Sequence, residues 1–223
     1  MIDYKELSKN LLEWWGEKQR KFPWRNTRDP YRIMVSEIML HRTRANQVVP
    51  IYLEFLKRFP TISSLSKADM NDLKNVLYPL GLRWRTRLLL EMVIEIMDKY
   101  EGKIPSSREE LESLPGVGQY IASAVRCFSF GYPSVLLDTN TVRILGRVFG
   151  IEVTDSSRRS QRFREFYLSL IDAQRPREFN YAMIDLGGLI CKPKEPFCNS
   201  CPISEMCKYG NRQKHAPKTL KIH

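Results

Sequence analysis

The sequence has no run of about 18 apolar residues, so no transmembrane helix is expected. Its N-terminus, MIDYKELSKNLLEWWGEKQRK, interleaves charges with apolar residues and carries no signal-peptide core. No stretch alternates cleanly at period two, and no Asn-Gly turn separates strand-like runs. The only strand-like run, Ser134-Val135-Leu136-Leu137, is short and lacks a partner. Internal repeats and low-complexity segments are also absent. Acid is in short supply: 25 Asp and Glu stand against 36 Lys and Arg, for a net charge of +11. That excess points to an anionic partner, with nucleic acid ahead of a membrane surface. At 223 residues and 43% apolar composition, the chain can bury a sizeable core in one large domain or two small ones.

Cysteine is scarce but unevenly placed. Of the five, Cys191, Cys198, Cys201 and Cys207 crowd near the C-terminus, spaced C-x6-C-x2-C-x5-C. An odd total and no secretory signal argue against a disulfide scaffold. Thiolates this close read as metal ligands, for either a tetrahedral zinc or an iron–sulfur cluster. Pro193, Pro196 and Pro202 punctuate the segment, which suits a ligand-wrapped loop with short helical turns. Cys127 stands alone in an apolar run and reads as a buried, inert core thiol.

Most of the chain reads helical. Leu7, Leu11, Leu12, Trp14 and Trp15 fall at helical spacing over about residues 5–18. Asp29-Pro30 supplies an N-cap followed by proline at the first helical position. The next helix carries Ile33 to Leu40, and another runs through Val48 to Leu56 until Pro60 stops it. Further helices are expected around Leu88–Ile96 and over about 118–130, 140–149, 159–173 and 178–190. Ser107 and Glu110 have the spacing of a capping box ahead of a short helix. The fold class is all-α. Basic residues cluster at Arg83, Arg85 and Arg87, at Arg158 to Arg164, and in the acid-poor tail through Lys218 and Lys221. Each cluster reads as a solvated face, and the tail also as a disordered basic arm.

Three places carry chemistry. Leu114-Pro115-Gly116-Val117-Gly118 lies between two helical segments, where glycines leave backbone amides unshielded and able to hold a phosphate. Glu37 stands inside the nearly apolar stretch Ile33–Leu40, where burial should raise its pKa, as a general acid requires. Asp138-Thr139-Asn140 comes after the helix that the hairpin leads into, and can cap the helix that follows.

Leu114–Tyr120, Leu137–Arg143 and the four-cysteine tail together resemble the helix-hairpin-helix DNA glycosylases of the endonuclease III superfamily. Within it, Phe22-Pro23-Trp24-Arg25, Arg28-Asp29-Pro30-Tyr31 and Ser36-Glu37-Ile38-Met39-Leu40 resemble the mismatch glycosylases, both adenine-specific and thymine-specific. The resemblance implies a two-lobed fold. A six-helix barrel lobe with the hairpin is expected over 29–135. A terminal-helix lobe with a [4Fe-4S] loop is expected over 1–28 and 136–223. The partner implied is double-stranded DNA containing a mismatched base, bound by a monomer in the cytoplasm, or in the nucleus if the source is eukaryotic.

The resemblance also implies roles. Asp138 matches the essential aspartate, which stabilises positive charge on the deoxyribose or activates water. Glu37 faces the base pocket. Tyr120 occupies the place of the Schiff-base lysine of bifunctional members; lacking an amine, it makes β-lyase chemistry unexpected. Gly116, Val117, Gly118, Arg42 and Asn140 are expected on the DNA, and Cys191, Cys198, Cys201 and Cys207 on the cluster. Two departures count against the adenine branch. His41-Arg42 replaces its glutamine pair, and the sequence ends at His223, soon after Cys207, without room for that branch's extra domain. The expectation is a monofunctional glycosylase that removes thymine, and uracil, opposite guanine. The alternatives are an adenine–mismatch glycosylase lacking its extra domain and a non-catalytic, metal-stabilised DNA-binding module.

Overall fold

The computed structural model describes residues 2–81 and 83–215. They form twelve α-helices: α1 Tyr4–Lys18, α2 Pro30–Leu40, α3 Ala45–Arg58, α4 Ile62–Ser66, α5 Met70–Leu77, α6 Arg83–Tyr100, α7 Arg108–Ser113, α8 Gln119–Phe130, α9 Thr139–Phe149, α10 Gln161–Leu170, α11 Pro176–Leu189 and α12 Lys208–His215. No strand occurs among the described residues, so the all-α expectation holds. Ser134–Leu137 forms no strand. No described helix is long and apolar enough to cross a membrane. Lys218 and Lys221 of the basic tail lie outside the described residues.

Local chemistry sets most helix starts. Asp29 accepts from the Tyr31 and Arg32 amides with Pro30 at the first position, as its sequence dictates. Asp3 and Asp69 cap α1 and α5 in the same way. Ser107 accepts from the Glu110 amide at 3.2 Å. The return bond differs from a capping box: the Glu110 carboxylate takes the Ser107 hydroxyl at 2.7 Å rather than the backbone amide. Three short helices, α4, α5 and α12, go beyond the sequence expectation, and α12 makes a helix of the start of the basic tail. A Thr61–Ser64 capping box starts the first, and α5 buries Leu73, Val76 and Leu77. Helix α3 also starts earlier than its apolar pattern suggests and contains Pro50. Pro50 and Asn46 are both exposed, so the carbonyl left without an amide faces water.

Contacts divide the chain into two compact units. One is Lys21–Ser134; the other joins Met1–Arg20 to the chain from Val135 onward. In the first, α2 packs against α8 and α3. It buries Tyr31, Ile33, Met34, Val35, Ile38 and Met39, which leaves almost no solvent face. That is the pattern of a helix at the centre of its unit. The Tyr31 hydroxyl donates to the Phe59 carbonyl at 2.7 Å, pinning α2 to the end of α3.

In the second unit, α11 packs on α1 and on α9, α10 packs on both of those, and α12 packs on α9. Asp185 of α11 is fully buried. Its carboxylate accepts from Trp15 Nε1 at 3.0 Å, the Arg20 amide at 3.0 Å and Arg20 Nε at 2.5 Å. Removing one partner of such a pair leaves buried donors uncompensated. Asp185→Ala is expected to destabilise the protein by about 3 kcal/mol, read as a fall in the urea midpoint with the slope unchanged.

Candidate active site

The unit Lys21–Ser134 holds the hairpin, Glu37, Arg42 and Tyr120. Between α7 and α8, the Val117 amide donates to the Leu114 carbonyl at 3.1 Å. Leu114 and Val117 turn inward and are buried, while Gly116 and Gly118 are exposed. Gly116 takes φ +77°, and a Cβ there would come within 3.3 Å of Leu88. Both facts call for glycine. Gly118 is the N-cap of α8, and no side chain caps that terminus. A Cβ at Gly118 would meet nothing within 4 Å, so its backbone is approachable from outside.

Glu37 sits on α2 with 7% exposure. It is enclosed by its unit rather than turned to solvent. Tyr120, on the first turn of α8, is half-buried. Arg42 is exposed on the turn between α2 and α3, and takes φ +62°, a left-handed value that non-glycine residues rarely adopt.

Asp138 and Asn140 belong to the other unit. Asp138 is the N-cap of α9. Its Oδ1 accepts from the Asn140 amide at 2.8 Å and the Thr141 amide at 2.7 Å. Thr141 completes a capping box by accepting the Asp138 amide at 2.8 Å, and donates to the Leu136 carbonyl at 2.9 Å. Oδ2 accepts from Asn140 Nδ2 at 3.0 Å. Capping therefore engages Oδ1 alone, and Oδ2 takes only a side-chain donor. Asn140 is itself held, because Arg143 Nη2 donates to its Oδ1 at 2.8 Å. The same guanidinium donates to the Gly187 carbonyl at 3.0 Å and the Cys191 carbonyl at 2.9 Å. One turn on, Arg147 donates to Cys191 Sγ at 3.3 Å and to the Lys192 and Pro193 carbonyls, both at 2.7 Å.

The cysteine segment follows α11 as a loop with short 3-10 turns at Cys198–Ser200 and Ser204–Met206. Burial pushes the Cys201 thiol up to about 12, and the neighbouring Cys191, Cys207 and Cys198 thiols add to the shift. Cys207 is raised by burial as well. Its Sγ accepts the Gly210 amide and donates to the Arg147 carbonyl, both at 3.4 Å. The four sulfurs thus share one electrostatic neighbourhood. Among the described residues, no three His, Cys, Asp or Glu side chains are placed to share a single metal ion. Cys127 lies apart on α8 and is fully buried, the inert position its apolar surroundings predict.

Sequence reasoning assigns no role to Arg143, Arg147 or Gly187. Arginines one helical turn apart on α9 are one available signal, and the Gly187-Gly188 pair inside α11 is another. Interior helix glycines cost about 1 kcal/mol each, so a pair implies a packing reason. Here a Cβ at Gly187 would lie 2.6 Å from Asn140 Cβ. Gly187→Ala is expected to cost about 1–3 kcal/mol by overpacking this contact. Asp138→Ala should lose about 1 kcal/mol of cap, while Asp138→Asn, which still caps, should stay within about 0.5 kcal/mol of the parent. Urea unfolding of the three variants checks both expectations.

The helix-hairpin-helix motif model matches residues 99–128, from the end of α6 through most of α8. The chain is 40% identical to a thymine-DNA glycosylase of Aeropyrum pernix, covering 92% of this chain and 94% of that protein. It is 37% identical to a thymine/uracil-DNA glycosylase of Pyrobaculum aerophilum, covering 91% and 90% of the two. The structure of a thermostable thymine-DNA glycosylase matches with a TM-score of 0.87 at 32% identity, over 94% of this chain and 97% of that one. On this similarity, spanning nearly the whole of each chain, the protein belongs to the helix-hairpin-helix DNA glycosylases, in the thymine/uracil-DNA glycosylase family.

Proposed function

We propose that this protein is a monofunctional DNA glycosylase that hydrolyses the N-glycosidic bond of thymine, and of uracil, mispaired with guanine. What carries the reading is the near full-length likeness to thymine/uracil-DNA glycosylases, together with a tyrosine at position 120. The net charge of +11 favours duplex DNA through phosphate neutralisation. The backbone of Gly116–Gly118 takes a phosphate at the uncapped start of α8. The target nucleotide is flipped out, at a cost of about a few kcal/mol that a mismatch lowers. Arg42 fills the space it leaves.

In the reaction the bond between C1′ and the base nitrogen breaks, the electron pair leaves with the base, water oxygen bonds to C1′, and the proton that water loses replaces the one the departing base takes up. Asp138 stabilises the sugar cation through Oδ2, with Oδ1 held on the helix amides. Asn140 orients that oxygen. Glu37 donates a proton or hydrogen bond to the departing base, and Tyr120 shapes its pocket. Tyrosine has no amine to attack C1′, so the strand is not cleaved.

Cys191, Cys198, Cys201 and Cys207 are the proposed ligands of a [4Fe-4S] cluster. Their close spacing along one loop and their shared electrostatic neighbourhood support this. When bound, the cluster supplies metal–thiolate bonds that brace a segment too short for its own core. The Gly210 amide on Cys207 favours that sulfur in its anionic form, and Arg147 places a cationic donor at Cys191 Sγ.

Base release from T·G, U·G, A·G and A·8-oxoguanine duplexes tests the specificity. T·G and U·G are expected to be processed, and preference for the adenine substrates would overturn the assignment. Asp138→Asn is expected to keep fold and binding while losing excision. Tyr120→Lys is expected to add strand nicking to base release. The native protein should be coloured and contain iron, and Cys201→Ser should lose both; a colourless, iron-free preparation would defeat the cluster.

A further inference from the structure

In sequence, Arg85 reads as part of a solvated basic face, and the structure corrects that reading. Arg87, two positions on, is solvated: its side chain is 80% exposed and pairs with Glu91 one turn away. Arg85 is only 9% exposed. A guanidinium so enclosed needs acceptors. Its Nη1 donates to the Ile38 carbonyl at 3.2 Å, and its Nη2 contacts His41 Nδ1.

Both acceptors lie where α2 ends. The Ile38 carbonyl is one of the last four of the helix and has no partner within it. A cation there also complements the helix dipole. His41 is the C-cap, and the next residue is Arg42 at φ +62°. A left-handed backbone costs a non-glycine residue about 1–2 kcal/mol and persists where its surroundings hold it. The turn is held beyond Arg42 by the Thr43 amide on the Leu40 carbonyl at 3.2 Å. Before Arg42, the hold is Arg85.

We propose that Arg85 is a positioning residue that clamps the end of α2 and His41, so that the turn presents Arg42 in a fixed, strained conformation. The inference rests on the reading of Arg42 as the residue that fills the vacated space in DNA. It assigns the strain a purpose: a side chain entering the duplex is pre-ordered, and its ordering entropy is not charged to the flipping step. The state of His41 agrees with the clamp. Accepting at Nδ1 requires a neutral ring protonated at Nε2. Partial burial and the charges of Arg85, from α6, and Arg42, on its own turn, hold the imidazole below its ordinary pKa. Arg42 likewise helps lower the Arg85 pKa, which places the two guanidiniums within electrostatic reach.

A double-mutant cycle tests the proposal. Arg85→Met keeps the packing of the stem, and Arg85→Lys keeps the charge without the fork. Single-turnover excision on a T·G duplex is expected to fall about tenfold or more for Arg42→Ala and for either Arg85 variant. Combined with Arg42→Ala, the Arg85 changes should cost nothing further, since both act through one side chain. In the free protein, nitrogen NMR should find His41 unprotonated at Nδ1 with a depressed pKa, and Arg85→Met, which removes the neighbouring charge, should move that pKa back toward the ordinary value. Fold losses that multiply in the double variant, Arg85 variants at parental rate beside a slow Arg42→Ala, or a His41 titration indifferent to Arg85 would each overturn the clamp. Parental excision by Arg42→Ala alone would instead overturn the reading of Arg42, and the inference with it.

Discussion

The unit that carries Asp138 is built from both ends of the chain, and one buried carboxylate joins them. Asp185 accepts from Trp15 and twice from Arg20, residues 165 to 170 positions away. Such closure is entropically costly, so it needs a contact that no neighbouring residue can supply. A buried anion with three donors from one segment meets that need. It also fixes α11 against α1, because Arg20 bends back beside Gly188, whose Cβ would lie 3.2 Å from the guanidinium. The opposite side of α11 meets α9 at Gly187 and Asn140. Asn140 bonds Asp138. The placement of the candidate catalytic oxygen therefore traces back to a second carboxylate, buried on α11.

Arg143 and Arg147 extend this dependence to the cysteine loop. Their guanidiniums hold the backbone at Gly187, Cys191, Lys192 and Pro193, while Arg143 also holds Asn140. The loop has little apolar material of its own: Ile203 is buried, but Phe197 is 52% exposed. Hydrogen bonds to arginine supply the order that packing does not. Burial of Arg143 lowers its pKa, whereas the Cys191 and Asp138 charges oppose that shift. One planar, always-cationic side chain thus links the first cysteine to the neighbour of Asp138, a task unsuited to lysine.

What the sequence disclosed divides by range. Asp29, Ser107 and the Leu114–Gly118 hairpin act on partners within a few positions, and their elements stand where local pattern places them. The apolar stripe of α2 likewise announces a buried helix, and Glu37 is buried with it. Asp185, Arg143 and Arg85 reach partners far away along the chain, and no local pattern marks them. Arg85 shows the difficulty well. Beside Arg83 and Arg87 it looks like one of a solvated cluster, yet the helical turn separates it from Arg87 and points it inward. Asp138 is legible in the sequence as both a cap and a candidate catalyst, and the structure shows how the cap is made while one oxygen stays clear of the helix amides.

Capping leaves room for the proposed second use, for a physical reason. A carboxylate has two oxygens and about four lone-pair directions. In Asp138 the two backbone amides take Oδ1, which fixes the side-chain torsions and the plane of the group. Oδ2 then has one donor, Asn140, and a direction set by the helix it caps. Fixing the group by capping removes the rotamer freedom that a surface aspartate retains, and that ordering is complete before substrate arrives. The same logic governs Arg42 at the end of α2. In each unit a helix terminus, where backbone groups lack intrahelical partners, is closed by a side chain, and the closure orients the residue proposed to act on DNA.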